Sequence, residues 1–207
     1  EVRPEVIEGR PAESRLRQRD KEGIEIDQGL FMAHVLADEA AGAHLLHAML
    51  LPREESLAMA GDFARTGVAG LPGARVERRG KAALVTLCNP RYLNAEDNTT
   101  LDGLEVAIDL ALLDAASEVC VLRGERVTHT KHAGRHVFGA GINLTHLYQG
   151  KIPFLWYLTR DLGPVNKLYR GLAGPEDPDL ELAGDSIDKL WIAAVDAFAI
   201  GGACQIL

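Results

Sequence analysis

With 207 residues and 47% hydrophobic side chains, the chain can form one domain of ordinary size plus an appendage around a real core. A formal charge of -8 argues against general affinity for nucleic acid or an anionic membrane, and no apolar run approaches the ~20 residues that span a bilayer. Cys88, Cys120 and Cys204 are odd in number and far apart, with no C-x-x-C. They read as reduced, buried small hydrophobes. The charged start, "EVRPEVIEGRPAESRLRQRDKEG", lacks the apolar core of a secretion signal, so the expected location is the cytoplasm.

Residues 1–75 read as a polar-rich helical N-terminal extension. In "IDQGLFMAHVLADEAAGAHLLHAML", Leu30, His34, Ala37 and Ala41 share a face that Leu45, Ala48 and Leu51 continue. Pro52 interrupts that pattern, and "GVAGLPGARVERRG" reads as a Gly/Pro-punctuated connector. From residue 81 the texture changes to alternating strand and helix, an α/β signature. "KAALVTLC" predicts a strand broken by "NPRYLN". A helix follows, capped by Asp97 or Asn98, with Leu101, Leu104, Ile108, Leu112 and Ala115 as its stripe. "EVCVLRGE" predicts the next strand. No G-x-G-x-x-G follows the first strand, which argues against a dinucleotide site.

The stretch 123–136 sets Arg123, Arg126, Lys131 and Arg135 against Glu125 alone. It reads either as a solvated charge run or as a contact for anionic phosphates. The paired glycines of "VFGAGINL" demand unusual backbone geometry or close approach. A helical insert is expected over 145–172, then an acidic mobile loop in "AGPEDPDLELAGDS", then a strand leading into "AIGGACQIL". His129, His132 and His136 have metal-like spacing, but no nearby Asp or Cys completes a shell, so no metal is expected.

Three separated pieces, "ALVTLCNPRYLNAEDNTTLDGLEVAIDLAL", "VFGAGINL" and "KLWIAAVDAFAIGGACQIL", together resemble the crotonase (enoyl-CoA hydratase/isomerase) superfamily. The resemblance covers roughly residues 80–207 and implies a crotonase-like core over 76–207, the N-terminal part of a spiral of ββα units, with the insert 145–172 inside it. Members continue well beyond the last motif, so this chain is expected to be an incomplete copy, unstable alone. The resemblance also implies two peptide N–H donors, from Ile142 and Gly202, that hold a thioester oxygen in an oxyanion hole. Such donors favour negative charge on that oxygen without reorganising, and losing one costs roughly 2.7–4 kcal/mol.

Hydratases of the superfamily carry glutamate where this chain has Gln205. A carboxamide cannot relay a proton as a carboxylate does, so enoyl hydration is disfavoured. The N-terminal extension, "GAGINL", the insert "GKIPFLWYLTRDLGPVNKLYRGL" and Gln205 resemble a branch of the superfamily that oxidises a dihydroxyphenylacetyl-CoA thioester in glycopeptide-antibiotic biosynthesis. That branch is a dioxygenase using neither metal nor organic cofactor, and it cleaves the thioester to an aryl glyoxylate and free CoA. The resemblance implies ring-hydroxyl contacts from Glu96, Arg160 and Gln205, further substrate contacts from Gly141 and Asn143, and CoA contacts from Arg91 and Arg135. The apolar "IPFLWYL" would enclose a dry O2 pocket, or equally pack as a core or subunit face. Implied partners are the acyl-CoA, O2 and further copies of the chain, as trimer or hexamer, with no nucleic acid and no membrane. Plainer readings remain beside these: Glu96 as a first-turn helix acid, Arg160 as a solvated charge, Gln205 as a passive polar group. Other hydratases, isomerases or hydrolases of the superfamily, and a CoA-thioester scaffold without chemistry, are the competing functions.

Overall fold

The computed structural model describes residues 13, 15–175 and 186–207. The acidic stretch expected as a mobile loop lies largely outside them. Three helices come first: α1 (Ile24–Ala37), α2 (Glu39–Leu50) and α3 (Glu54–Thr66). The continuous apolar stripe expected over 26–51 is cut in two at Asp38. That residue is extended (φ -82°, ψ 125°), and its carboxylate accepts the Ala41 N–H at 2.9 Å as the cap of α2. A capping Asp competes with helix continuation, and here it wins over a face that would otherwise run on.

The expected connector 67–80 is a β-hairpin. Strands β1 (Val68–Leu71) and β2 (Ala74–Arg79) pair antiparallel across Leu71-Pro72-Gly73-Ala74. Proline presets the first central position, and Gly73 takes the positive φ (70°) that the second demands, as in a type II turn. Strand β3 (Ala82–Leu87) pairs antiparallel with β2, while β4 (Val119–Gly124) and β5 (Leu190–Ala194) follow in parallel, giving the order β1-β2-β3-β4-β5.

Helix α4 (Leu101–Leu113) crosses between β3 and β4. It is buried all round, from Gly103 to Leu112, because the sheet covers one side and α3 and the insert cover the other. Ile108, Leu110 and Leu112 pack with Val76 and Val85 in the main core, each burial stabilising by about 1.5–3 kcal/mol. The expected cap is displaced. Asp97 turns its carboxylate onto the Thr99 N–H and hydroxyl, and Thr100 stands at the helix start instead. At the other end Asp114 closes the helix, leaving Ala115 exposed and outside the stripe.

Short helices occupy the segment between β4 and β5. A short α5 (Leu144–Tyr148) precedes α6 (Leu155–Arg160) and α7 (Asn166–Arg170), and a widened turn, Asp161–Val165, joins the last two. Gly163 leaves helical geometry there (φ -89°, ψ -107°) beside Pro164, which has no N–H to continue the ladder. The kink leaves Arg160 and Lys167, both buried, on either side of the break. Strand β5 leads to the closing 3-10 segment Gly201–Ile206.

Candidate functional site

The site begins in the broken turn after β3. Asn94, fully buried with positive φ (55°), donates to the carbonyls of Glu125 and Val137 at 2.8 Å and accepts the Asn89 N–H at 3.0 Å. Asn89 donates in turn to the Ala95 carbonyl at 2.8 Å. Asparagine suits both places, since its short amide satisfies main-chain groups a turn cannot pair, and at Asn94 it also tolerates αL. The result is a rigid loop that presents Glu96.

Three extended segments then zip together. The Glu96 N–H donates to the Gly141 carbonyl, and the Asn143 N–H donates to the Glu96 carbonyl, both at 2.8 Å. Gly139 bridges Ala199 in parallel, with the Ile200 N–H on the Gly139 carbonyl at 3.0 Å. This lays the glycine turn at 139–142 against the glycine turn at 200–202. Gly141 has φ +73°, and a Cβ there would lie 2.6 Å from the Ile200 oxygen and 3.1 Å from the Gly202 nitrogen. Both the φ and the approach exclude a side chain. Among the described residues, neither the Ile142 nor the Gly202 N–H has a hydrogen-bond acceptor.

Arg160, 3% exposed, comes from the end of α6 to close this corner. Its Nε and Nη2 grip the two Glu96 carboxylate oxygens, Nη2 also donates to the Gly202 carbonyl at 2.8 Å, and Nη1 donates to Asp161 Oδ1 (2.7 Å) and Gln205 Oε1 (2.8 Å). Burial works against the guanidinium charge, but the bonds and charge of Glu96, then of Asp161, outweigh it and hold the pKa above its ordinary value. A cavity of about 280 Å³ lies over this floor, walled by Ile142, Gly202, Trp156, Tyr157 and Gln205.

No family model matches the chain. It is 48% identical over 197 residues to the (3,5-dihydroxyphenyl)acetyl-CoA 1,2-dioxygenase of Amycolatopsis orientalis, a match covering 95% of this chain and 44% of that protein. A second relative, the short-chain-enoyl-CoA hydratase of Clostridium acetobutylicum, is 29% identical over 63% of this chain and 41% of the relative. The chain thus spans less than half the length of these two curated relatives. Among solved structures, an enoyl-CoA hydratase/isomerase from Xanthobacter autotrophicus Py2 aligns with a TM-score of 0.49 at 22% identity, over 66% of this chain and 43% of that one.

Glu96, Gly141, Ile142, Arg160, Gly202 and Gln205 come together from four separate segments. Asn143 is near, but its side chain is committed. Its Nδ2 donates to Asp97 Oδ2 at 2.7 Å, and its Oδ1 accepts the Thr145 and His146 N–H groups that open α5. Arg91 lies along a separate open groove of about 340 Å³ that shares Ile142 with the first cavity. Arg135 stands apart from both, exposed and donating to the Asp196 carbonyl at 2.8 Å.

Two groups escaped the sequence reading. Asp97, fully buried, collects Asn89, Thr99, Asn143 and His146. Burial would raise its pKa, but the Thr99 and Asn143 hydrogen bonds and the nearby His146 outweigh that and hold it below the carboxylate range. Its position in "NAEDNTT" signalled only a helix cap. Trp156, 5% exposed, borders the cavity with an indole N–H that has no partner among the described residues. Nothing in "IPFLWYL" distinguishes it from core. Among the described residues no group of three His, Cys, Asp or Glu could hold a metal, and no helix is long and apolar enough to cross a membrane.

Proposed function

We propose that the protein converts (3,5-dihydroxyphenyl)acetyl-CoA and O2 to (3,5-dihydroxyphenyl)glyoxylate and CoA, within glycopeptide-antibiotic biosynthesis. The observation that carries this is the meeting of two glycine turns at a cavity lined by Ile142, Gly202, Glu96, Arg160 and Gln205, with the Ile142 and Gly202 N–H groups unpaired among the described residues. The likeness to the Amycolatopsis enzyme supports the substrate.

The chemistry follows from what those amides favour. One α-hydrogen leaves as a proton, and the electron pair it leaves spreads onto the thioester oxygen and the electron-rich ring. Two preorganised N–H donors stabilise that enolate, each by roughly 2.7–4 kcal/mol. The enolate passes one electron to O2, and the pair recombines as a peroxide on the α-carbon. The peroxide oxygen attacks the thioester carbonyl and expels CoA thiolate. Breaking of the O–O bond with loss of the second α-hydrogen leaves a ketone and a carboxylate, so both oxygen atoms stay in the product.

Ring hydroxyls would meet Gln205. Its oxygen accepts from Arg160, which leaves its NH2 group to donate into the cavity. A site that pairs with hydroxyls discriminates against rings without them, because its own polar groups are then stranded. The Arg91 groove beside Ile142 is where the CoA moiety would leave, with Arg135 as an outlying phosphate contact. The reaction needs no metal and no organic redox cofactor, and the protein works in the cytoplasm as a homotrimer or hexamer.

The test is incubation of the thioester with the full-length protein while O2 uptake, free thiol and product mass are followed. One O2 consumed per thiol released, unchanged after exhaustive chelation, is the expected result. Thiol release without O2 uptake would make the protein a hydrolase. Stoichiometric iron whose removal stops turnover would end the cofactor-free reading.

A further inference from the structure

We infer that Asp97 is a positioning residue for the Ile142 peptide donor: its carboxylate ties Asn143, the residue that follows that donor, to the turn after β3 and to the start of α4. The inference rests on the reading that the Ile142 and Gly202 amides hold the thioester oxygen. The Ile142 N–H shares one rigid plane with the Gly141 carbonyl. That carbonyl accepts the Glu96 N–H at 2.8 Å, so the planar peptide aims the Ile142 N–H the opposite way. One residue further on, the Asn143 N–H donates to the Glu96 carbonyl, again at 2.8 Å. Two main-chain bonds to one residue therefore set the tilt of the donor. They hold it only as firmly as Glu96 and Asn143 are themselves held.

Asp97 holds both. It follows Glu96 in the chain, and its fully buried carboxylate accepts Asn143 Nδ2 at 2.7 Å. Asn143, 2% exposed, is thereby oriented so that its Oδ1 meets the Thr145 and His146 N–H groups at the start of α5. The rest of the carboxylate is anchored elsewhere. Its Oδ1 accepts the Thr99 N–H (2.8 Å) and hydroxyl (2.6 Å) just before α4. Its Oδ2 accepts Asn89 Nδ2 at 3.2 Å and lies 2.9 Å from His146 Nδ1. Four hydrogen bonds and the His146 ring thus converge on two oxygens. An ionised carboxylate suits them because both of its oxygens only accept, whereas an amide of the same shape turns an NH2 group against one set of donors. Asp97 does not line the cavity that Ile142 borders, so its effect on the reaction passes through the donor turn.

A donor misplaced by about 1 Å at such a site can cost ~100-fold in rate. The measurement is exchange of the substrate α-hydrogens with D2O, without O2, at saturating (3,5-dihydroxyphenyl)acetyl-CoA, read by mass spectrometry on the full-length protein. The Kd of the thioester is measured alongside, and rates are scaled to the folded fraction. Asp97→Asn is expected to slow exchange roughly tenfold to a hundredfold while Kd stays within about threefold, the mark of a displaced donor. Ser56→Ala removes one hydrogen bond from Asp109, away from the cavity, and controls for lost stability alone. It is expected to leave exchange unaltered. Exchange slowed equally in both variants, or unaltered in Asp97→Asn, would overturn the inference. Should Asp97→Asn fail to fold, Asn143→Ser keeps a capping oxygen for α5 but lacks the NH2 group that reaches Asp97. It is expected to slow exchange about tenfold at unchanged Kd, and an unchanged rate there would equally refute the inference. Absence of exchange in the unaltered protein would instead sink the oxyanion reading itself.

Discussion

Gln205 is exposed, and its carboxamide oxygen accepts from a guanidinium that can only donate, so the oxygen is fixed on Arg160 and the NH2 group is the side left to donate. Gln205→Glu removes both NH2 donors and brings a further acid to a group already serving Glu96 and Asp161. It also adds negative charge beside a forming enolate. We expect kcat/KM for the dihydroxyphenyl thioester to fall ten- to a hundredfold, about 1.4–2.7 kcal/mol, as measured by coupled thiol release. Asp97 makes a different kind of prediction. Its folded pKa lies below the usual range, so its stabilisation is complete above the unfolded carboxylate value near ~4 and drains away as pH falls through the folded value. Asp97→Asn should cost about 1–3 kcal/mol at neutral pH, with the gap from the unaltered protein narrowing in acid. Denaturant titrations at several pH values would show it, and a constant gap would refute it. Cys120 is fully buried, and burial, only partly offset by Lys189, pushes its thiol up to about 11.

At the scale of elements, one helical glycine is informative. Gly103 lies in the first turn of α4, where alanine would gain about 1 kcal/mol of intrinsic helix propensity. Yet a Cβ there would stand 1.9 Å from the Pro72 carbonyl oxygen, a main-chain atom held in the β1–β2 turn. Overpacking of this kind costs about 1–3 kcal/mol, so the clash outweighs the propensity. Gly103→Ala should therefore lower the unfolding midpoint, where propensity alone would raise it. The hairpin that supplies Pro72 is also where the sequence was least legible. "GVAGLPGARVERR" shows turn residues plainly, but β1 is four residues long, and its role as an edge strand depends on pairing that no local pattern records. Strands β3 and β4 were legible because sheet burial writes apolar residues into them, while β5 carries an apolar run although its residues stand exposed or half-buried. The glycine turns of the site were legible for a related reason: Gly141 meets main chain, where only one residue type fits. Commitments between side chains were not legible, since the Asp97–Asn143 bond joins residues 46 apart.

Across the whole molecule, α3, α4 and the insert are joined by charge as well as by apolar packing. Lys167, fully buried on α7, donates to Asp109 Oδ1 at 2.9 Å and pairs with Glu105 at 2.8 Å, both on α4. The other Asp109 oxygen accepts the Ser56 hydroxyl and the Arg53 N–H at the start of α3, each at 2.8 Å, while Arg53 Nη1 reaches Glu105 at 3.1 Å. Desolvation raises the Asp109 pKa even so, although Lys167 and these hydrogen bonds work to lower it. Such a cluster costs much to desolvate and adds little net stability over an apolar core, but removing one member strands the rest. Lys167→Met should therefore cost about 3–5 kcal/mol, far more than a surface lysine, in denaturant unfolding of the full-length protein. The combined change Lys167→Met with Asp109→Asn should cost less than the two single changes added together, because the amide no longer needs a cation. Strict additivity would mean that Lys167 and Asp109 stabilise the fold independently of one another.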